Sequence, residues 1–131
     1  MLSLALCVNK FTYINIVDFF ITRSITSNKF VLSSLNQEVR LLAIFNGSSI
    51  EPAELEKLKG VEVLVINALR FSKPHGSHQT VLEALRVVDY LSPRETYFTH
   101  MMHHIGLHAK IEKCLPAGVH FAYDGLVVEI G

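Results

Sequence analysis

Four of the seven histidines in this chain, His100, His103, His104 and His108, fall in one short stretch, and His75 and His78 precede them in a Pro- and Gly-containing segment. Neutral imidazole is the commonest metal ligand, and with a pKa close to neutrality it is also the commonest general acid or base. Clusters of this kind therefore suit metal binding or proton transfer. Spacing alone leaves several readings open. If the segment from His100 is helical, His100, His104 and His108 stand at i, i+4 and i+8, which describes either a free-standing three-histidine metal site or an ordinary polar helix face. Gly106 weakens a continuous helix there. The metalloprotease pattern needs a glutamate directly after its first histidine, and Ile105 follows His104, so that chemistry is excluded.

Positioning such side chains falls to an alternation of strands and helices. Val61 to Ile66 is an almost unbroken apolar run and predicts a buried strand. Its end, Asn67-Ala68-Leu69-Arg70, leads into a loop bearing Pro74, His75, Gly76 and His78. From Gln79 to Tyr90 the residues Val81, Leu82, Leu85 and Val88 recur on one side, predicting an amphipathic helix that Pro93 stops. Tyr97, Phe98 and Thr99 predict a second short strand, with His100 at its end. Parallel pairing of the two strands would deliver both histidine loops to one edge of the sheet, where α/β folds gather their ligands.

Flanking elements follow the same logic. Asn46-Gly47-Ser48-Ser49 is turn chemistry, and Pro52 with Glu51 and Glu54 opens a helix carrying Leu55 and Leu58 that ends near Gly60. A helix is expected to run to about Cys114, before the Pro116-Ala117-Gly118 break. Phe121 to Val128, turning at Asp124-Gly125, predicts a β-hairpin. The order of elements is that of an α/β fold.

With 131 residues, half of them hydrophobic, the chain suits one domain or a piece of a larger one. Twelve basic and twelve acidic residues give zero formal charge without a basic run, which removes the electrostatic footprint of a nucleic-acid surface. Cys7 and Cys114 lie far apart, so neither a disulfide framework nor a thiolate zinc site is indicated, and a reducing, cytoplasmic setting fits best. The apolar opening from Met1 to Val8 lacks a basic flank, and Asn15, Asp18 and Arg23 interrupt Phe11 to Ile25 well short of a membrane span of about 18 residues. No membrane association is expected.

Taken in order, Val65 to Arg70, Pro74 to Thr80, Tyr97 to His108, Leu115-Pro116 and Phe121 to Leu126 resemble the C-terminal part of metallo-β-lactamase-fold hydrolases. Within that superfamily they are most similar to the branch containing the cyclic phosphodiesterase of phosphonate breakdown. The resemblance runs from roughly Ile44 to Ile130. It implies the βαβ-type C-terminal half of an αββα sandwich, ending in the β-hairpin. By the same resemblance His100 matches a late metal-binding histidine, His78 a histidine that assists proton transfer, and His103 a loop histidine that supports the ligands. Asn46 stands where the family has an aspartate bridging two metals, and an amide cannot offset two cations as a carboxylate does. Relatives of this kind use two divalent ions, zinc or manganese, to generate a hydroxide and neutralise a phosphoryl oxygen.

The family's H-x-H-x-D-H motif is absent from residues 1 to 45, and no histidine precedes His75. Residues 1–43 are accordingly unassigned, a segment foreign to the domain such as a truncated or frame-disrupted gene would produce, and 44–131 form the C-terminal half of the domain. The chain alone is expected to be inactive and to bind divalent metal weakly or not at all. Completed by the missing half, it would act on a small-molecule phosphodiester. The rival expectation is a non-catalytic remnant that binds a partner, or another copy of itself, through apolar surface that the missing half would cover.

Overall fold

Strands outnumber helices in the first third of the chain and alternate with them afterwards. The computed structural model describes residues 2–7, 13–16, 23–24, 29–33, 40–45, 49–102, 105–123 and 125–130. Its strands are β1 (Leu2–Cys7), β2 (Tyr13–Ile16), β3 (Arg23–Ser24), β4 (Lys29–Ser33), β5 (Arg40–Phe45), β6 (Val63–Asn67), β7 (Glu95–Thr99), β8 (Val119–Phe121) and β9 (Leu126–Ile130). Helices α1 (Pro52–Lys57), α2 (Val81–Leu91) and α3 (His108–Ile111) join them, α3 continuing into a 3-10 turn, Glu112–Cys114. One sheet has the order β3-β4-β5-β6-β7-β8 and the other β2-β1-β9. β5 to β8 are parallel, with Phe45 opposite Ile66, Ile66 opposite Phe98 and Phe98 opposite Phe121. This is the mixed α/β architecture, with a parallel sheet, that the sequence predicts.

A parallel sheet is covered on both faces, which explains why every residue of β6 is buried. Leu64 and Ile66 join Val81, Ala84, Val87 and Leu91 of α2 and, from the neighbouring strands, Phe98 and Phe121 in one core. Val63 and Val65, also buried, alternate to the opposite face. Phe98 and Phe121 meet edge to face at 5.7 Å, and Phe71 reaches Phe121 at 6.3 Å. Each such side chain contributes roughly 1.5–3 kcal/mol of burial free energy.

Helix α2 starts where it does because Thr80 and Glu83 form a reciprocal cap. The Thr80 hydroxyl accepts from the Glu83 amide at 3.1 Å, and the Glu83 carboxylate accepts from the Thr80 amide at 2.7 Å. It ends at Ser92, whose left-handed φ of 48° turns the chain just before Pro93.

One expectation is corrected. The strands flanking Asp124-Gly125 form, and Gly125 has the positive φ of a turn, but β8 pairs with β7 while β9 pairs with β1, so they lie in different sheets and make no hairpin. A turn dipeptide fixes a change of direction, whereas the choice of partner strand depends on the rest of the chain. The helix expected to run to about Cys114 begins at His108 and ends in the 3-10 turn at Cys114; His100 itself has φ 60°, so His100 and His108 share no helix face and the i, i+4, i+8 reading does not hold. Among the described residues no helix is long and apolar enough to cross a membrane.

Candidate functional site

Because β6 and β7 are adjacent and parallel, the loops that follow them leave the sheet together. Backbone hydrogen bonds then tie the loops to each other: the Ala68 amide donates to the Thr99 carbonyl and the Met102 amide to the Leu69 carbonyl, both at 2.9 Å. The first loop is closed on itself by the Leu69 amide, which donates to the Gln79 carbonyl at 2.9 Å. Arg70 holds its middle, donating from Nε to the Lys73 carbonyl at 2.7 Å and from Nη2 to the Pro74 carbonyl at 3.0 Å. Those are the two carbonyls immediately before His75.

His75, His78 and His100 are brought into a file. Ring centroids of His75 and His78 are 5.4 Å apart, and those of His78 and His100 are 5.5 Å apart with planes inclined by 29°. His75 Nδ1 accepts from the Ser77 amide at 3.1 Å, which leaves its proton, when neutral, on Nε2. His78 Nδ1 is buried without a hydrogen-bond partner among the described residues. Burial, and then the neighbouring His75, lowers the pKa of His78 below the ordinary 6.5. His100 is lowered in the same way, by burial first and by His78 second. Both shifts favour the neutral imidazole, which carries one N–H and one lone pair. His100 adopts its left-handed φ directly after β7, a conformation that non-glycine residues adopt chiefly in turns and at functional sites.

A metal centre of the kind the resemblance implies needs three or more convergent protein donors. Among the described residues no group of three His, Cys, Asp or Glu side chains could hold an ion. The described histidines therefore do not make up such a centre. Asn46 and His103, expected respectively at a bridging position and in support, lie outside the described residues, as does His104.

His108, the last member of the sequence cluster, works elsewhere. Its Nε2 lies 2.9 Å from the Phe121 carbonyl on the edge of β8, and its ring meets Tyr123 at 5.5 Å. Arg70, which bridges the Lys73 and Pro74 carbonyls, and the separate trio of His120 with Glu95 and Glu112 at its two ring nitrogens were not legible in the sequence. The one local signal was His108 and Glu112 at i, i+4, the spacing at which helix side chains meet.

The fold recurs in known proteins. No family model matches the chain. A diphosphatase from the PhnP family matches with 30% identity and a TM-score of 0.65, over 86% of this chain and 47% of that one. The metallo-β-lactamase fold protein YhfI from Bacillus subtilis matches with 16% identity and a TM-score of 0.62, over 98% of this chain and 48% of that one. The chain has the metallo-β-lactamase fold. It spans less than half the length of either solved structure, and as a partial chain it fits the C-terminal half of that fold. An Octanoyltransferase from Porphyromonas gingivalis (strain ATCC BAA-308 / W83) is 39% identical over 77 residues, which are 59% of this chain but 16% of that protein. So small a share of the transferase assigns no acyl transfer to this chain. What the neighbours support is the metallo-β-lactamase fold, at partial coverage.

Proposed function

We propose that this chain is one half of a phosphoester hydrolase, the half that sets an acid–base histidine, His78, against a histidine for a metal centre, His100. The observation that carries the reading is the 5.5 Å stacking of those two rings at the ends of adjacent parallel strands. Held neutral by burial and by His75, His78 can take up a proton near neutral pH and return it to a leaving oxygen. A small-molecule phosphodiester is the substrate class in keeping with the diphosphatase among the solved structures. His100 offers one imidazole to zinc or manganese, with His103 in support and Asn46 at the bridging position. One such donor does not close a site, so the chain by itself is inactive under this reading and binds divalent metal weakly. Its setting is the cytoplasm.

A graft tests the reading. An N-terminal half carrying H-x-H-x-D-H is joined to residues 44–131, and bound metal and hydrolysis of bis(p-nitrophenyl) phosphate are measured. The expected result is hydrolysis by the graft and a loss of about a hundredfold in His78→Ala with metal retained. In the Asn46→Asp graft, metal occupancy and rate should both rise. A folded, metal-loaded graft that hydrolyses nothing, or one indifferent to His78→Ala, overturns the proposal.

A further inference from the structure

His120 lies on β8 with a carboxylate at each ring nitrogen: Glu112 Oε1 is 2.9 Å from Nδ1 and Glu95 Oε2 is 2.9 Å from Nε2. A neutral imidazole carries one N–H, and an ionised carboxylate only accepts, so both contacts are hydrogen bonds only when the ring is an imidazolium. The same Glu112 has a second task. Within the sheet, β8 faces β7 through groups such as the Ala122 amide, which donates to the Phe98 carbonyl at 2.9 Å. β8 is also the last strand of its sheet, so the Phe121 amide and carbonyl point outward. Glu112 Oε2 accepts from that amide at 2.8 Å, and His108 Nε2 meets that carbonyl at 2.9 Å. Two side chains one helical turn apart thus occupy the strand edge in place of another strand.

We propose that Glu95, His120 and Glu112 form a protonation-operated clasp, which holds the His108–Cys114 segment on the edge of β8 while His120 is an imidazolium and releases it when the proton is lost. With Nδ1 deprotonated, its lone pair would face Glu112 Oε1, and Glu112 would turn away, uncovering the Phe121 amide. The groups that face His120 are Glu95 and Tyr97 from β7 and Glu112 from the 3-10 turn, with Tyr97 stacked on the ring at 5.4 Å. Further out, His108 of α3 lies 3.6 Å from Glu112, and Arg94 is engaged with Glu62 at 3.6 Å. Burial by itself pulls the His120 pKa down, but the hydrogen bonds and charges of Glu95 and Glu112 together outweigh it and leave the pKa above 6.5. Release therefore belongs to a higher pH than that at which an ordinary imidazole loses its proton.

The experiment is an NMR titration of the intact chain, following the His120 ring and the hydrogen exchange of the Phe121 amide from pH 5 to pH 9. His120 should titrate above 6.5, and across that step Phe121 exchange should gain about tenfold beyond the rise that base catalysis gives any amide. His120→Asn, which does not titrate, should show no such step. Should that variant fail to fold, Glu95→Gln serves instead and should lower the His120 midpoint. A midpoint at or below 6.5, Phe121 exchange that ignores it, the same step in His120→Asn, or a midpoint unmoved by Glu95→Gln overturns the proposal.

Discussion

His78, in the loop before α2, and His120, on β8, have pKa values displaced in opposite directions. In the file of His75, His78 and His100 each ring faces another imidazole, and a proton on His78 or His100 is opposed by burial and by the neighbouring ring. At the edge of β8 the His120 ring faces two carboxylates, and a proton there completes two hydrogen bonds. The lesson is that partners, more than the imidazole itself, decide between a group poised for chemistry and a structural tie. An unsatisfied nitrogen such as His78 Nδ1 is a cost to the fold, of the sort that active sites retain.

Removing the tie should have the largest effect. Glu112→Ala takes away the acceptor for the Phe121 amide and one of the two His120 partners, and should cost about 2 kcal/mol in urea denaturation at pH 6. Gly106→Ala bears on the same segment from the other side: Gly106 has φ +126°, and an added Cβ would meet Ile111 Cγ2 at 2.7 Å. A loss of about 1 kcal/mol or more is expected, measured in the same way. His78→Leu should stay within about 0.5 kcal/mol of the parent or stabilise it, because it deletes a buried nitrogen without breaking a described bond. If His78→Leu proves as damaging as Glu112→Ala, the contrast between a poised cluster and a structural one is gone.

The finest test uses pH. For His120 the folded pKa is raised, so its contribution is complete below the unfolded value of about 6.5 and disappears as pH climbs through the folded value. His78 and His100 have lowered folded pKa values, so stability is lost as pH falls from about 6.5 through them. Denaturation midpoints plotted against pH should therefore form a dome. His120→Asn should flatten its alkaline limb, and His78→Leu part of its acid limb. A swap of those effects would reverse the assignment of the two clusters.

How much of this was legible beforehand depended on how local the cause was. Helix α2 could be read from its recurring apolar residues and β6 from its apolar run, but the face that α2 buries is Val81, Ala84, Val87 and Leu91, and Leu82 of the expected face is exposed. The meeting of His78 with His100 followed from one further step, the parallel pairing of β6 and β7. His120 was invisible as a partner of Glu95 and Glu112 because the three come from different elements that only the β7–β8 pairing aligns. His108 misled for the same reason: its target is a backbone carbonyl on the edge of β8, which no spacing rule can name. The turn at Gly125 was local and correctly placed, while the sheet to which β9 belongs was a property of the whole chain.

That last pairing also orders events in time. β9 lies against β1 with Val128 opposite Leu4, so two strands from opposite ends of the sequence meet, whereas β5 to β8 are linked in succession through short helical crossovers. The entropy of closing so long a loop grows only slowly with length, but the closure must precede any gain from the strand contacts it permits. The parallel sheet with α2 can assemble from neighbours in sequence, and the β2-β1-β9 sheet has to wait for the ends to find each other. During that interval β1 would present an unpaired edge, which makes the early life of this chain, rather than its finished form, the period of greatest exposure to aggregation.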